Sequence, residues 1–277
     1  MKTFRIPLCV ATTVVAAVCT LSNVHAELAE YYIGVDSRTT PFQAPSADGG
    51  GDYPDNPNFN RLTLLYQHGD HFHGIGQHIY AGPAASPTPV DTNGNNRLPE
   101  TNTLQPPLPL VPGTGVYAGK NTSAHIPGVE YSDLEMQNIQ SLNGAGSAED
   151  VLLNSSSGRW AGSFGPAHIH LELVGVSSPL LNVGTPSDPL ALSVGGNVHV
   201  GDGDEMFSFT PVLWVDETAP AGHYWAEFRL VDESGTFGDS GRFYFDVQQV
   251  PEPSTVGLIA VAMIGLLRLR RRNASYV

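Results

Sequence analysis

Arg242-Phe243-Tyr244-Phe245-Asp246-Val247 alternates apolar with polar side chains, so Phe243, Phe245 and Val247 share one face of an extended segment. That face is predicted to be core. Working back toward the N-terminus, segments of similar character recur between Pro and Gly turns: His223 to Val231, Met206 to Val215, Ala191 to Val200 and His168 to Val176. Tyr31-Tyr32-Ile33-Gly34-Val35 and Leu62-Thr63-Leu64-Leu65-Tyr66 add two more, the second running directly into a His-rich stretch. One short helix is expected over Tyr131 to Leu142, with Leu134, Ile139 and Leu142 apolar, Asp133 near its start and Gly144 as its stop. Ala81 to Gly115 is rich in Pro, Asn and Thr and shows neither period, so it is expected to be irregular. The expected fold is all-β: a single β-sandwich with long irregular loops over residues 27–249, undivided by any linker or repeat.

The composition agrees, with 30 Gly and 22 Pro in 277 residues, a content that disfavours long helices. The chain is acidic, at a formal charge of −14, and the asymmetry is greater in its middle. From Glu27 to Val250, 7 bases stand against 26 acids, a net charge of −19. Such a surface repels phosphate backbones, which excludes nucleic acid as a partner, and attracts cations, metal ions included.

Both ends read as addresses. Lys2 and Arg5 precede an apolar run from Ile6 to Leu21, and Val24-His25-Ala26 places small residues where signal peptidase cleaves, so residues 1–26 are expected to be a signal peptide ending at Ala26. The only cysteines, Cys9 and Cys19, lie within that leader, so the exported chain is expected to have no disulfide and no thiolate ligand. At the other end, Val250-Pro251-Glu252-Pro253-Ser254 leads into an uncharged stretch from Thr255 to Leu267 and then Arg268-Leu269-Arg270-Arg271-Arg272. As a helix those apolar and small residues span ~20 Å, a short transmembrane segment whose arginines stay cytoplasmic.

Chemistry is concentrated in histidine. His68, His71, His73 and His78 fall within 11 residues, and His168 and His170 form a second HxH pair. On a strand, such a pair points both imidazoles to one face, ~6.5–7 Å apart along the chain, from which two rings can converge on one ion. Asp70 or Glu172 can add a carboxylate, either as a ligand or as the acceptor that orients a ligand imidazole. His223, which opens a strand after Pro220-Ala221-Gly222, is either a distant further ligand or a strand-edge residue. His125 and His199 are read as ordinary surface residues. Such imidazole donors accept Zn²⁺, and Cu²⁺ competes for them.

Other patterns are read as turns. Gly238-Asp239-Ser240-Gly241 resembles a serine-protease nucleophile segment without that fold's other signatures. Asp91-Thr92-Asn93-Gly94-Asn95 starts like a calcium loop but has Asn96 and Asn102 where Gly and Glu are needed. Asp202, Asp204 and Glu205 are read as a solvated turn.

The Pro-Glu-Pro motif, short apolar stretch and arginine cluster of residues 250–277 resemble the PEP-CTERM sorting signal of Gram-negative bacteria. That resemblance implies recognition by exosortase, processing near Pro251, Glu252 and Pro253, and transient anchoring in the inner membrane. The exported region in turn resembles the cyanobacterial-type PEP-CTERM proteins repressed by the zinc-uptake regulator Zur. The matching stretches include Asn58-Phe59-Asn60-Arg61-Leu62-Thr63, His68 to Gly76, Asn96-Arg97-Leu98-Pro99-Glu100, Tyr117-Ala118-Gly119-Lys120, Tyr131-Ser132-Asp133-Leu134, Ser157-Gly158-Arg159-Trp160 and Pro211 to Asp216. This second resemblance implies synthesis during zinc starvation and a place in zinc homeostasis at the cell envelope, with zinc-uptake components as partners.

The function expected is therefore non-enzymatic zinc capture or buffering by a cell-surface, periplasmic or extracellular protein. The alternative is a His-ligated metalloenzyme. Ala167-His168-Ile169-His170 and His71-Phe72-His73-Gly74-Ile75-Gly76 resemble copper/zinc superoxide dismutase, and an HxH pair also occurs in cupins. The exported chain lacks the dismutase cysteines, and His223 falls too early for the second cupin motif.

Overall fold

The computed structural model describes residues 28–39, 55–83, 86 and 88–250; the expected signal peptide and C-terminal helix lie outside the described residues. Strands come first: β1 (Tyr31–Val35), β2 (Leu62–His68), β3 (His71–Ile75), β4 (Ile79–Ala81), β5 (Thr88–Val90) and β6 (Arg97–Leu98). Next are β7 (Leu108–Pro109), β8 (Val111–Pro112), β9 (Lys120–Thr122) and β10 (Met136–Asn138), then the helix α1 (Ser147–Asn154). The remainder is β11 (His168–Val176), β12 (Asn182–Gly184), β13 (Asn197–Asp202), β14 (Ser208–Phe209), β15 (Val212–Asp216), β16 (Gly222–Asp232) and β17 (Phe243–Gln249).

Two large open sheets carry the core. One has the order β14-β10-β1-β2-β3; the other has β13-β11-β16-β17-β6, with β7 also paired to β17. The alternation read at residues 242–247 holds: Phe243, Phe245 and Val247 are buried, and Phe245 meets Tyr31 of the first sheet edge-on at 5.8 Å. Tyr31, Ile33, Leu64, Tyr66 and Ile75 share that inner face by register, and one hydrophobic cluster joins them to Phe228, Leu230, Leu171 and Leu173 of the second sheet. The opposite face of the first sheet is covered by the segment around α1. There Gly34 leaves room for Leu65 and Trp160, which a Cβ would meet at 2.8 and 3.4 Å. Asp36, fully buried, is held by the guanidinium of Arg159 and by Asn56, tying this covering segment to the end of β1. A smaller sheet, β12-β15-β9-β8, and the β4-β5 pair complete the strands.

Three expectations need correction. The helix expected over Tyr131 to Leu142 is instead a 3-10 turn at Glu130–Ser132, strand β10 and a second 3-10 turn at Ile139–Leu142. Parallel pairing of Met136 and Gln137 with Tyr31 and Tyr32 overrides local preference there. The helix forms at Ser147–Asn154, where Glu149 and Asp150 complement the positive end of the helix dipole and Leu152 and Leu153 are buried. The strand expected over Met206 to Val215 is split, β14 joining the first sheet and β15 the third, because Pro211 between them has no N–H to donate to a ladder. That expected over Ala191 to Val200 starts only at Asn197, after a turn in which Gly195 takes φ 80°.

Candidate metal centre

A two-residue turn sets the site. Gly69, at φ 65°, supplies the positive φ that a tight hairpin with Gly in first place needs, and the turn places His68 directly opposite His71 and Tyr66 opposite His73. The inner-face row that buries Tyr66 therefore continues outward as His68, His71 and His73. One ring nitrogen from each of the three lies within 4.8 Å of the others. The His68 ring stacks beside Tyr66 at 6.4 Å, and His73 meets Tyr66 edge-on at 6.3 Å, so the buried tyrosine forms the floor of the cluster.

Proton placement follows from the partners. His73 Nδ1 lies 2.8 Å from Glu100 Oε2 and 2.9 Å from Oε1, and His71 Nδ1 lies 3.2 Å from Asp70 Oδ1. A carboxylate only accepts, so both Nδ1 atoms donate and both Nε2 atoms present lone pairs. Those two Nε2 atoms face each other at 3.0 Å. Two lone pairs at that distance repel unless a cation or a proton lies between them. Nitrogens bound to one tetrahedral Zn²⁺ at about 2.0–2.1 Å stand ~3.3 Å apart, so an opening of a few tenths of an ångström would accommodate the ion.

Glu100 was missed in the sequence. Its side chain is only 3 % exposed, and Asn95 Nδ2 donates to its Oε1 at 2.7 Å, so it is fixed rather than waving at the surface. Its position is set by β6, which pairs in parallel with β17. Arg97 of β6 lies over the Tyr244 ring at 4.4 Å and bonds Asp246 at 2.5 Å. The stretch expected to be irregular, Ala81 to Gly115, thus contains short strands and delivers the carboxylate that orients His73.

The remaining candidates lie elsewhere. His78 is outside the three-His group: its backbone is clamped by Asn58, and its Nδ1 is buried without a hydrogen-bond partner. His223 Nε2 bonds Asp246 at 3.0 Å, the carboxylate that Arg97 also holds. Glu172 is taken by Arg229. His168 does not converge with His170: His168 Nδ1 lies 2.7 Å from Asp202, whereas His170 faces Asn197 and Glu233. Asp202 is also 3.0 Å from His199, so one acid of the turn read as solvated and the histidine read as ordinary belong together. Ser240 is buried with its hydroxyl bonded to backbone, unlike an exposed nucleophile. Asp91 pairs with Arg242.

Burial pushes His78 down to about 4, with the positive charges of Arg61 and Arg229 adding to the effect. Between pH ~6.5 and ~4 the unfolded chain takes up a proton at this position that the folded chain does not, so stability falls as pH falls through that window. For a partly buried ring, screening reduces the effect to roughly 1–2 kcal/mol. Denaturant titrations at pH 7 and 4.5 should show the parent losing about that much more than His78→Gln. Equal losses would remove His78 as a source of acid sensitivity.

Among the described residues no helix is long and apolar enough to cross a membrane. No curated protein and no solved structure matches the chain. Residues 249–272 match the PEP-CTERM protein-sorting motif, the recognition signal for exosortase, which marks the chain for export and sorting to the cell envelope or surface.

Proposed function

We propose that the chain is an exported, non-catalytic zinc-binding protein, built on a β-sandwich, that captures or buffers Zn²⁺ at the envelope when zinc is scarce. The observation that carries this reading is the pair of facing Nε2 atoms of His71 and His73, each ring backed by a carboxylate on its other nitrogen. Ligand imidazoles in zinc sites commonly have such acceptors, which fix the ring and raise its basicity. His71 is about half exposed, so an ion held here would remain open to exchange, as capture and release require. The net charge of −19 between Glu27 and Val250 would raise the local cation concentration. Imidazole donors alone would favour Cu²⁺ over Zn²⁺, so the choice of zinc rests on the resemblance to Zur-repressed PEP-CTERM proteins. In this reading signal peptidase removes residues 1–26, the C-terminal segment anchors the chain in the inner membrane until exosortase acts, and zinc-uptake components receive the metal.

The exposed cluster also leaves solvent access at the metal position, which a metalloenzyme would need. Assays on zinc-, copper- and iron-loaded protein separate the two readings. Superoxide dismutation and ester hydrolysis should run at the rate of the free metal while zinc is retained through dialysis; turnover well above that rate, abolished by His71→Ala, would replace the capture reading with the enzymatic one.

A further inference from the structure

β13 is the edge strand of the six-stranded sheet, and it contacts β14, the edge of the five-stranded sheet opposite β3. The His68–His71–His73 cluster and the β13 edge are therefore at opposite sides of the paired sheets. On β13, His199 and Asp202 are three residues apart, and in a regular strand their side chains would point to opposite faces. A bulge prevents this. His168 pairs with Asp202 and Ile169 with Gly201, but His170 pairs with His199, so Val200 is an inserted residue. The insertion turns His199 onto the same outer face as Asp202, His168 and His170, while Ile169, Leu171 and Val200 remain buried.

We infer that His168, His199 and Asp202 form a second, solvent-open site for a borderline divalent cation such as Zn²⁺, Ni²⁺ or Cu²⁺. Asp202 Oδ1 accepts from both rings, His168 Nδ1 at 2.7 Å and His199 Nε2 at 3.0 Å, and one nitrogen of each ring and an Asp202 oxygen lie within 4.8 Å of one another; a bound ion would take the place of those two N–H protons, each passing to the other nitrogen of its ring or to solvent. Two imidazoles and one carboxylate suit a borderline transition cation better than Ca²⁺ or Mg²⁺, which need a shell of oxygens. His170 stands beside His199 with ring centroids 5.1 Å apart and is itself held by Asn197 and Glu233, a supporting wall rather than a ligand. The inference uses no residue of the first cluster and is independent of it.

Equilibrium dialysis against Zn²⁺ tests it. The material is the full chain carrying Cys9→Ser and Cys19→Ser, so that no thiolate donor remains, and it carries no affinity tag. The chain should take up about two equivalents, and His199→Ala and Asp202→Asn should each lower this to about one. The His71→Ala/His73→Ala chain should keep the equivalent that those variants lose, which separates failure here from failure of the proposed function. His199 is half exposed, so its replacement should not unfold the chain. The inference is overturned if both edge variants bind as much Zn²⁺ as the parent, or if the His71→Ala/His73→Ala chain binds none.

Discussion

The His71→Ala/His73→Ala chain should bind Zn²⁺ at the hairpin at least ~100-fold more weakly than the parent, because loss of orienting partners alone commonly costs 10–100-fold and here two ligands are removed. The effect is local to binding. Both side chains project from the end of the β2–β3 hairpin, beyond the buried row of Tyr66 and Ile75, so their removal takes little from the core. His68 remains, but a single imidazole on an exposed hairpin offers no chelation. Competition with a chromogenic chelator reads the affinity, and circular dichroism with a denaturant titration checks that the fold persists. An unchanged affinity in a folded double variant would mean that the hairpin is not the site.

Glu100→Gln should weaken zinc binding by ~10–100-fold although Glu100 is not one of the converging ligands. The buried carboxylate takes both oxygens to within 2.9 Å of His73 Nδ1, so it fixes which nitrogen is protonated and stabilises positive charge on the ring as the metal binds. Gln keeps the shape and removes the charge. Asp70→Asn makes the internal comparison, because Asp70 is 87 % exposed and sits 3.2 Å from His71 Nδ1. It should cost less than Glu100→Gln. The same chelator competition ranks the two, and equal small effects would reduce Glu100 to a residue that merely packs the loop.

Legibility in the sequence followed from how local each signal was. His168–Val176 formed over the expected residues because an alternation in side-chain character is contained within the segment itself, and Tyr31–Val35 because its short aromatic and β-branched run is buried on both faces. The helix was misplaced because β10 owes its conformation to β1, about a hundred residues earlier, and no window of local sequence contains that pairing. The concentration of His68, His71 and His73 was visible from spacing, but the turn at Gly69-Asp70 that sets His68 opposite His71, and the separation of His78 from the group, were not. Glu100 was not, because it lies 27 residues from His73 and reaches it only after Arg97 docks on β17. One clue existed: Asp91 and Glu100 are the only acids between Ala81 and Gly115, in a stretch otherwise short of charge. The edge cluster was hidden for a different reason. A three-residue separation of His199 and Asp202 reads as opposite faces, and nothing at Val200-Gly201 announces the bulge beyond the glycine itself.

Anomalous scattering at the zinc edge, recorded from crystals of the zinc-loaded chain, tests the central claim most directly because it locates the ion without reference to ligand chemistry. The expected result is a peak about 2.0–2.1 Å from the Nε2 atoms of His71 and His73, with His68 as a further nitrogen neighbour and Glu100 still bonded to His73 Nδ1. Crystals containing bound zinc with no peak between those imidazoles would contradict it.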